Sequence, residues 1–221
     1  MAAGFRYPQF CALARAAEVV GERWTLLIVR ELVLGPRRFS DLRERLDGLS
    51  ASVLTERLAR LEAGGLVARR ALDRPASGVV YELTEAGRAL EPALFALLRW
   101  GTGLLLPLRP RERVEGDWLR LALTACARRG PSPARTFLLR IRAGRAEVIL
   151  RVVGGPGGTA VTEGFESAEA TLTADPATIL GLIAGGLSLR AALRDRRVEV
   201  TGETDALEVF PTLFDVTEPR G

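Results

Sequence analysis

The 221-residue chain contains no histidine and no lysine, and only two cysteines, Cys11 and Cys126. Without histidine, Ser-His and Cys-His nucleophile pairs and imidazole zinc sites are excluded. Two cysteines cannot form a zinc finger, and a pair so far apart in sequence does not predict a structural disulfide. No apolar run reaches the ~20 residues of a membrane helix, and MAAGFRYPQF lacks the charged start, apolar segment and cleavage site of a leader, so a cytoplasmic protein is expected. The glycine clusters GGPGG and Gly185-Gly186 lack the lysine and spacing of a phosphate loop and read as turns. No enzyme activity, metal or cofactor is expected.

All 31 basic residues are arginine, against 27 acidic ones, a net charge of +4. Residues 1–107 hold 15 arginines and 12 acids, and 108–221 hold 16 and 15. The basic excess therefore leans towards the first half. There, WTLLIVRELVLG predicts a helix that is apolar over most of its circumference and stops at Gly35-Pro36. RRFSDLRERLDG places Phe39, Leu42 and Leu46 on one face of a second helix. SASVLTERLARLEAGG predicts a third, capped by Ser50 and striped by Leu54, Leu58 and Leu61, which leaves Ser52, Thr55, Glu56, Ala59 and Arg60 facing away and Arg57 on the flank. LVARRA and VVYEL alternate as the strands of a hairpin, joined by LDRPASG, with Arg69, Arg70 and Arg74 on it.

Small and hydrogen-bonding side chains on one helix suit the major groove, and arginines on a hairpin suit phosphates. The leucine stripe positions such a helix and does not read bases. Double-stranded DNA is thus the expected partner, with Arg37, Arg38, Ser40, Ser50, Ser52, Thr55, Glu56, Arg57, Arg60, Arg69, Arg70 and Arg74 as candidate contacts. For each hairpin arginine, a merely solvated charge is the alternative.

These residues resemble the HxlR-type winged helix-turn-helix regulators. The landmarks are Cys11 followed by ALARAAEVVGERWTLLIVREL, then GPRRFSDLRERLDGLSASVLTERLARLEAGGLVAR and VVYELTEAGRALEP; Arg23 stands where the family usually has lysine. The resemblance implies a homodimer on an inverted repeat. By the same analogy Ala12 to Val20 and a helix over Thr84 to Gly103, with Leu90, Leu94, Leu97, Leu98 and Trp100, would form the dimer contact. Cys11 falls where several such regulators carry a redox-sensing thiol; Arg15, one turn on, and Arg6 would favour its thiolate, and a small buried apolar residue is the other reading.

LLLPLRPRERVEGD, residues 104–117, has the composition of a connector, giving domains 1–103 and 118–221. Beyond it the pattern is α+β: a helix from Trp118 to Arg129, a hairpin turning at Ala143-Gly144, strands at Thr159 to Thr162 and Ala170 to Ala174, a helix opened by Asp175-Pro176, another from Ser188, a strand in RRVEVTG and a last helix capped by Thr204. This half resembles the sterol carrier protein 2-like (SCP2) domain. The best landmarks are in ATLTADPATILGLIAGGLSLRAALRDRRVEVTGETDALEVFPTLF. The likeness implies a five-stranded sheet packed by helices around an apolar pocket, for a hydrophobic small-molecule effector. Its walls would include Phe137, Leu139, Val148, Leu150, Phe165, Leu172, Ile179, Leu182, Ile183, Leu187, Leu193 and Phe210. Ordinary core is the other reading of each, since sequence does not separate a lined cavity from a filled one. The expected protein is a dimeric DNA-binding regulator whose second domain senses a hydrophobic effector or fixes the dimer. A lipid carrier or interaction module with the winged helix as scaffold is the alternative.

Overall fold

The computed structural model describes residues 6–72, 77–105, 109, 112–144 and 146–216. The chain divides into two compact units, Met1–Leu94 and Phe95–Gly221.

The first unit holds α1 (Ala12–Val20), α2 (Thr25–Val33), β1 (Arg37–Arg38), α3 (Phe39–Arg45), α4 (Ala51–Ala63), β2 (Val67–Ala71), β3 (Val79–Leu83) and α5 (Glu85–Arg88); α6 (Glu91–Thr102) begins in it and ends in the second unit. Its antiparallel sheet runs β1-β3-β2, with Arg69 opposite Tyr81 and Arg70 opposite Val80. Ile28, Leu32, Leu42, Leu54, Leu58 and Leu61 are buried together in three helices, as the apolar spacing requires. The single long helix expected over Thr84 to Gly103 is instead α5 and α6. Pro92 explains the break, since it has no N–H to donate to the Arg88 carbonyl. Strand β1 was not anticipated; two residues carry no periodicity.

A charged side chain lies in this core. Glu31, in α2, has no exposed surface; it accepts from Arg30 at 2.7 Å and from Arg45 of α3 at 2.5 Å. The carboxylate pins α3 to α2 by charge-assisted bonds.

The second unit contains α7 (Gly116–Cys126), β4 (Thr136–Ala143), β5 (Ala146–Gly155), β6 (Gly158–Glu163), β7 (Ala170–Ala174), α8 (Pro176–Ile183), α9 (Leu189–Arg194), β8 (Val198–Gly202) and a closing 3-10 helix (Thr204–Leu213). The five-stranded sheet runs β6-β5-β4-β7-β8; β4 and β7 are parallel and the other neighbours antiparallel. Asp175 caps α8: its carboxylate accepts from the Thr178 amide at 2.9 Å and hydroxyl at 2.7 Å. Burial alone would raise the Asp175 pKa, but these bonds, the Ala177 amide and Arg197 outweigh it and hold the carboxyl below its ordinary value. Ser188 caps α9 through the Ala191 amide at 3.2 Å. Thr204, expected to cap the last helix, lies inside it, with Glu203 at the cap position and no side-chain cap bond. The helix is 3-10, and Pro211 within it cannot donate an α-type bond.

Of the expected pocket walls, Phe137, Leu139, Leu150, Leu172, Ile179, Leu182, Ile183 and Phe210 are buried in one cluster, with Val148, Leu187 and Leu193 packed against it. Phe165 does not belong with them. It follows Gly164 at the end of β6 and is 80% exposed, because the chain leaves the sheet before it can turn the ring inward. Phe210 contacts the rings of Phe137 and Phe214 edge-on, at 5.9 and 5.3 Å between centroids.

Candidate nucleic-acid interface

Helix α4 is set by its ends and by the turn before it. Ser50 accepts from the Val53 amide at 3.3 Å, and Leu46 and Leu49 are buried in the turn from α3. Gly48 adopts φ +82, which favours glycine, and the Trp24 ring lies beside it, 3.8 Å from where a Cβ would stand. Trp24 itself has φ +77, a conformation that costs a non-glycine residue about 1–3 kcal/mol and persists only where the surroundings impose it. The indole thus packs over the turn that aims α4.

Leu54, Leu58 and Leu61 face inward, and Ser52, Thr55, Glu56 and Ala59 are exposed. The Thr55 hydroxyl donates to the Ala51 carbonyl at 2.8 Å, so its outward groups are a methyl and an acceptor lone pair. Ser50 and Ser52 share a hydrogen bond of 3.1 Å. Ser40, at the start of α3, donates to Asp41 at 3.1 Å and is exposed. Arg69 lies over the Tyr81 ring at 5.5 Å and 3.9 Å from Glu62 of α4, and Arg70 pairs with Glu82 at 2.9 Å. Being adjacent in β2, the two point to opposite faces of the hairpin.

Arg38, Arg57 and Arg60 are likewise engaged within the protein. Arg38 donates to the Ser77 carbonyl at 2.9 Å and so ties the hairpin to β1. Arg57 pairs with Glu22 and donates to the Arg23 carbonyl at 3.3 Å, while Arg60 pairs with Glu22 and, at 2.7 Å, with Glu56. Glu22, more than thirty residues upstream, thus turns Arg57 and Arg60 back towards the turn between α1 and α2. Arg37 is half-buried in β1, and Arg74 lies outside the described residues.

Sequence reasoning missed Glu22 and Glu31. An acid inside the largely apolar run TLLIVRELV was the available sign of Glu31; nothing local marked Glu22.

Cys11 sits exposed at the N-cap of α1, not buried. Arg15 is on Glu18 at 3.1 Å rather than on the thiol, and the Tyr7 amide, foremost, together with Arg15, holds the Glu18 carboxyl below its usual range. Cys126 is buried, and its S–H faces the Thr102 hydroxyl at 3.5 Å. Burial pushes this thiol up, against smaller opposing effects of Thr102 and Arg99. The native protein should therefore give one fast-reacting thiol at pH 8 and a second only on unfolding; two fast thiols would contradict the burial of Cys126.

Among the described residues no helix is long and apolar enough to cross a membrane, and no cluster of three or more metal-ligating side chains occurs.

Three helices leading into a two-stranded wing, followed along the chain by a separate α/β unit, define a two-domain winged helix-turn-helix protein. Residues 19–107 match the HxlR-like helix-turn-helix family model and residues 115–215 the SCP-2 sterol transfer family model. The "Uncharacterized HTH-type transcriptional regulator YvaP" of Bacillus subtilis is 38% identical over 93 residues, 42% of this chain and 86% of that protein. The "Uncharacterized HTH-type transcriptional regulator Rv3095" of Mycobacterium tuberculosis is 40% identical over 115 residues, 52% of this chain and 68% of that one. A solved structure, "PA1607, a Putative Transcription Factor", shares 33% identity at a TM-score of 0.41, covering 49% of this chain and 73% of its own. The chain belongs to the HxlR-like helix-turn-helix family of transcriptional regulators, and it joins that domain to an SCP2 domain.

Proposed function

We propose that the protein is a sequence-specific, DNA-binding transcriptional regulator, and not an enzyme, working in the cytoplasm as a homodimer on a palindromic operator. The observation that carries this reading is the exposed polar face of α4, with Ser52 and Thr55 outward, beside a hairpin bearing Arg69 and Arg70. In it, α4 enters the major groove, and the hairpin arginines neutralise phosphates and set the register without reading sequence. The dimer reading is supported by apolar side chains left exposed in the first unit, Phe10, Leu13, Val19 and Leu27, and by Leu97 and Trp100 on α6. The domain division is read as 1–103 and 118–221 around a connector at 104–117.

The SCP2 domain is the place where a hydrophobic effector would act, among residues such as Leu139, Ile179 and Phe210, or it serves to fix the dimer. Oxidation of the exposed Cys11 would alter DNA affinity; an unchanged Kd after diamide, compared with Cys11→Ser, would remove that part of the reading.

Selection from a random duplex library tests the whole. An enriched inverted repeat, with half-sites about 10 bp apart or a multiple of that, is expected; no enrichment would favour a lipid carrier or interaction module in which the winged helix is only a scaffold. Replacing Arg69 and Arg70 together with alanine should weaken binding to selected and random duplexes alike. The slope of log K against log salt should become shallower by about 0.9 for each phosphate that the variant no longer neutralises. An unchanged slope would leave these arginines as solvated charges.

A further inference from the structure

We propose that Glu22 competes with the DNA backbone for two guanidiniums of α4, and so limits the sequence-independent part of DNA binding. The proposal rests on the DNA-binding reading above and adds to it a positioning residue that itself touches no DNA.

Glu22 lies between α1 and α2, and both its carboxylate oxygens are taken by α4, one by Arg57 and the other by Arg60. Glu56 adds a second acid to the same cluster, 2.7 Å from Arg60 and 3.4 Å from Arg57. The four charges sum to zero. The cluster therefore balances the charge of Arg57 and Arg60 on a helix whose other outward side chains include the neutral Ser52, Thr55 and Ala59.

Glu22, Arg60 and Glu56 are 25%, 31% and 44% exposed, a setting in which an ion pair is weak and a phosphate can take its place, while Arg57, at 16%, is the more firmly held of the two arginines. There is also space for movement: a cleft of about 370 Å³ lies against the cluster, walled by Val19, Thr25, Ala59 and Ala63. Arginine's long stem lets the same side chain serve the carboxylate in the free protein and a phosphate in a complex. Each guanidinium that stays on Glu22 is one counterion fewer released from the duplex.

The test is a cycle of full-length proteins measured by fluorescence anisotropy on a selected and a random duplex over a salt series: wild type, Glu22→Gln, Arg57→Gln with Arg60→Gln, and all three changes together. Glu22→Gln should bind the random duplex roughly three- to tenfold tighter at low salt, with a slope steeper by up to about 1.8, and so with a smaller preference for the selected site. That gain should vanish when Arg57 and Arg60 are glutamines. Unchanged or weaker binding at an unchanged slope would make the cluster a purely structural clasp and overturn the proposal. A gain that persists without the arginines would overturn it too, because it would come from removing a negative charge alone. Should Glu22→Gln lose its cooperative melt, the same cycle with Glu56→Gln and Arg60→Gln decides, since these side chains are the more exposed members. A wild-type protein that binds neither duplex would instead defeat the DNA-binding reading, a result distinct from tight wild-type binding that the variants fail to change.

Discussion

Phe210→Ala should destabilise the second unit by about 3–5 kcal/mol, the usual cost of cutting a fully buried phenylalanine to a methyl group. Phe210 is 2% exposed and stands between Phe137 and Phe214, so its removal empties the middle of the cluster and ends two edge-on aromatic contacts at once. The closing 3-10 helix has an interior proline and no side-chain cap, so its buried face is a main part of what holds it in place. The chain has two units, so a single melting midpoint is a poor measure, and hydrogen exchange on β4, β5 and β7 is the better one. At about 1.4 kcal/mol per factor of ten, protection there should fall by about two to three and a half orders of magnitude. A loss below about 1 kcal/mol would mean that the unit is loosely filled at its centre, a result that would favour a lined pocket over a packed core.

Glu31→Ala should cost the first unit a similar amount, about 3–5 kcal/mol, for an electrostatic reason. The carboxylate is fully buried, and the side chains of Arg30 and Arg45 are only 14% and 17% exposed, so removing it takes a charge-assisted acceptor from both guanidiniums where access to water is poor. The pair Arg45 and Glu31 also fixes α3 against α2, and α3 leads directly into the turn that aims α4. DNA affinity should therefore fall with stability. The clearest reading comes from urea unfolding followed on Trp24, the only tryptophan of the first unit, in variants with Trp100 and Trp118 replaced by phenylalanine. A midpoint shift worth less than about 1 kcal/mol would show that the carboxylate does not organise the helices.

The two cases differ in how far the sequence foretold them. Phe210 was legible as apolar and inward, since periodicity reports burial, but whether it walls a cavity or fills the core is a matter of packing that no spacing encodes. Phe165 shows the limit of the same signal: an aromatic residue near the end of a strand reads as core, yet Gly164 turns the chain away first. Helix α4 was legible in full, because a three-leucine stripe, a serine cap and a terminal glycine pair all agree. The course of its outward side chains was legible only for the short ones. Ser52 and Thr55 lie where the projection puts them, whereas Arg57 and Arg60 reach far enough to be redirected by an acid distant in sequence. Strand β1 was hidden for a different reason: it is two residues long and exists only because β3 offers it an edge. The break between α5 and α6 was available in Pro92, where the missing amide outweighs a helical pattern that continues on both sides.

The central claim is that α4 and the hairpin bind DNA selectively. Anisotropy of the purified full-length protein on duplex from the region upstream of its own coding sequence, against a scrambled duplex over a salt series, measures this most directly. Tight binding that prefers the upstream duplex and weakens steeply with salt is the predicted result. Equal affinity for both duplexes, or binding that salt does not weaken, would contradict it.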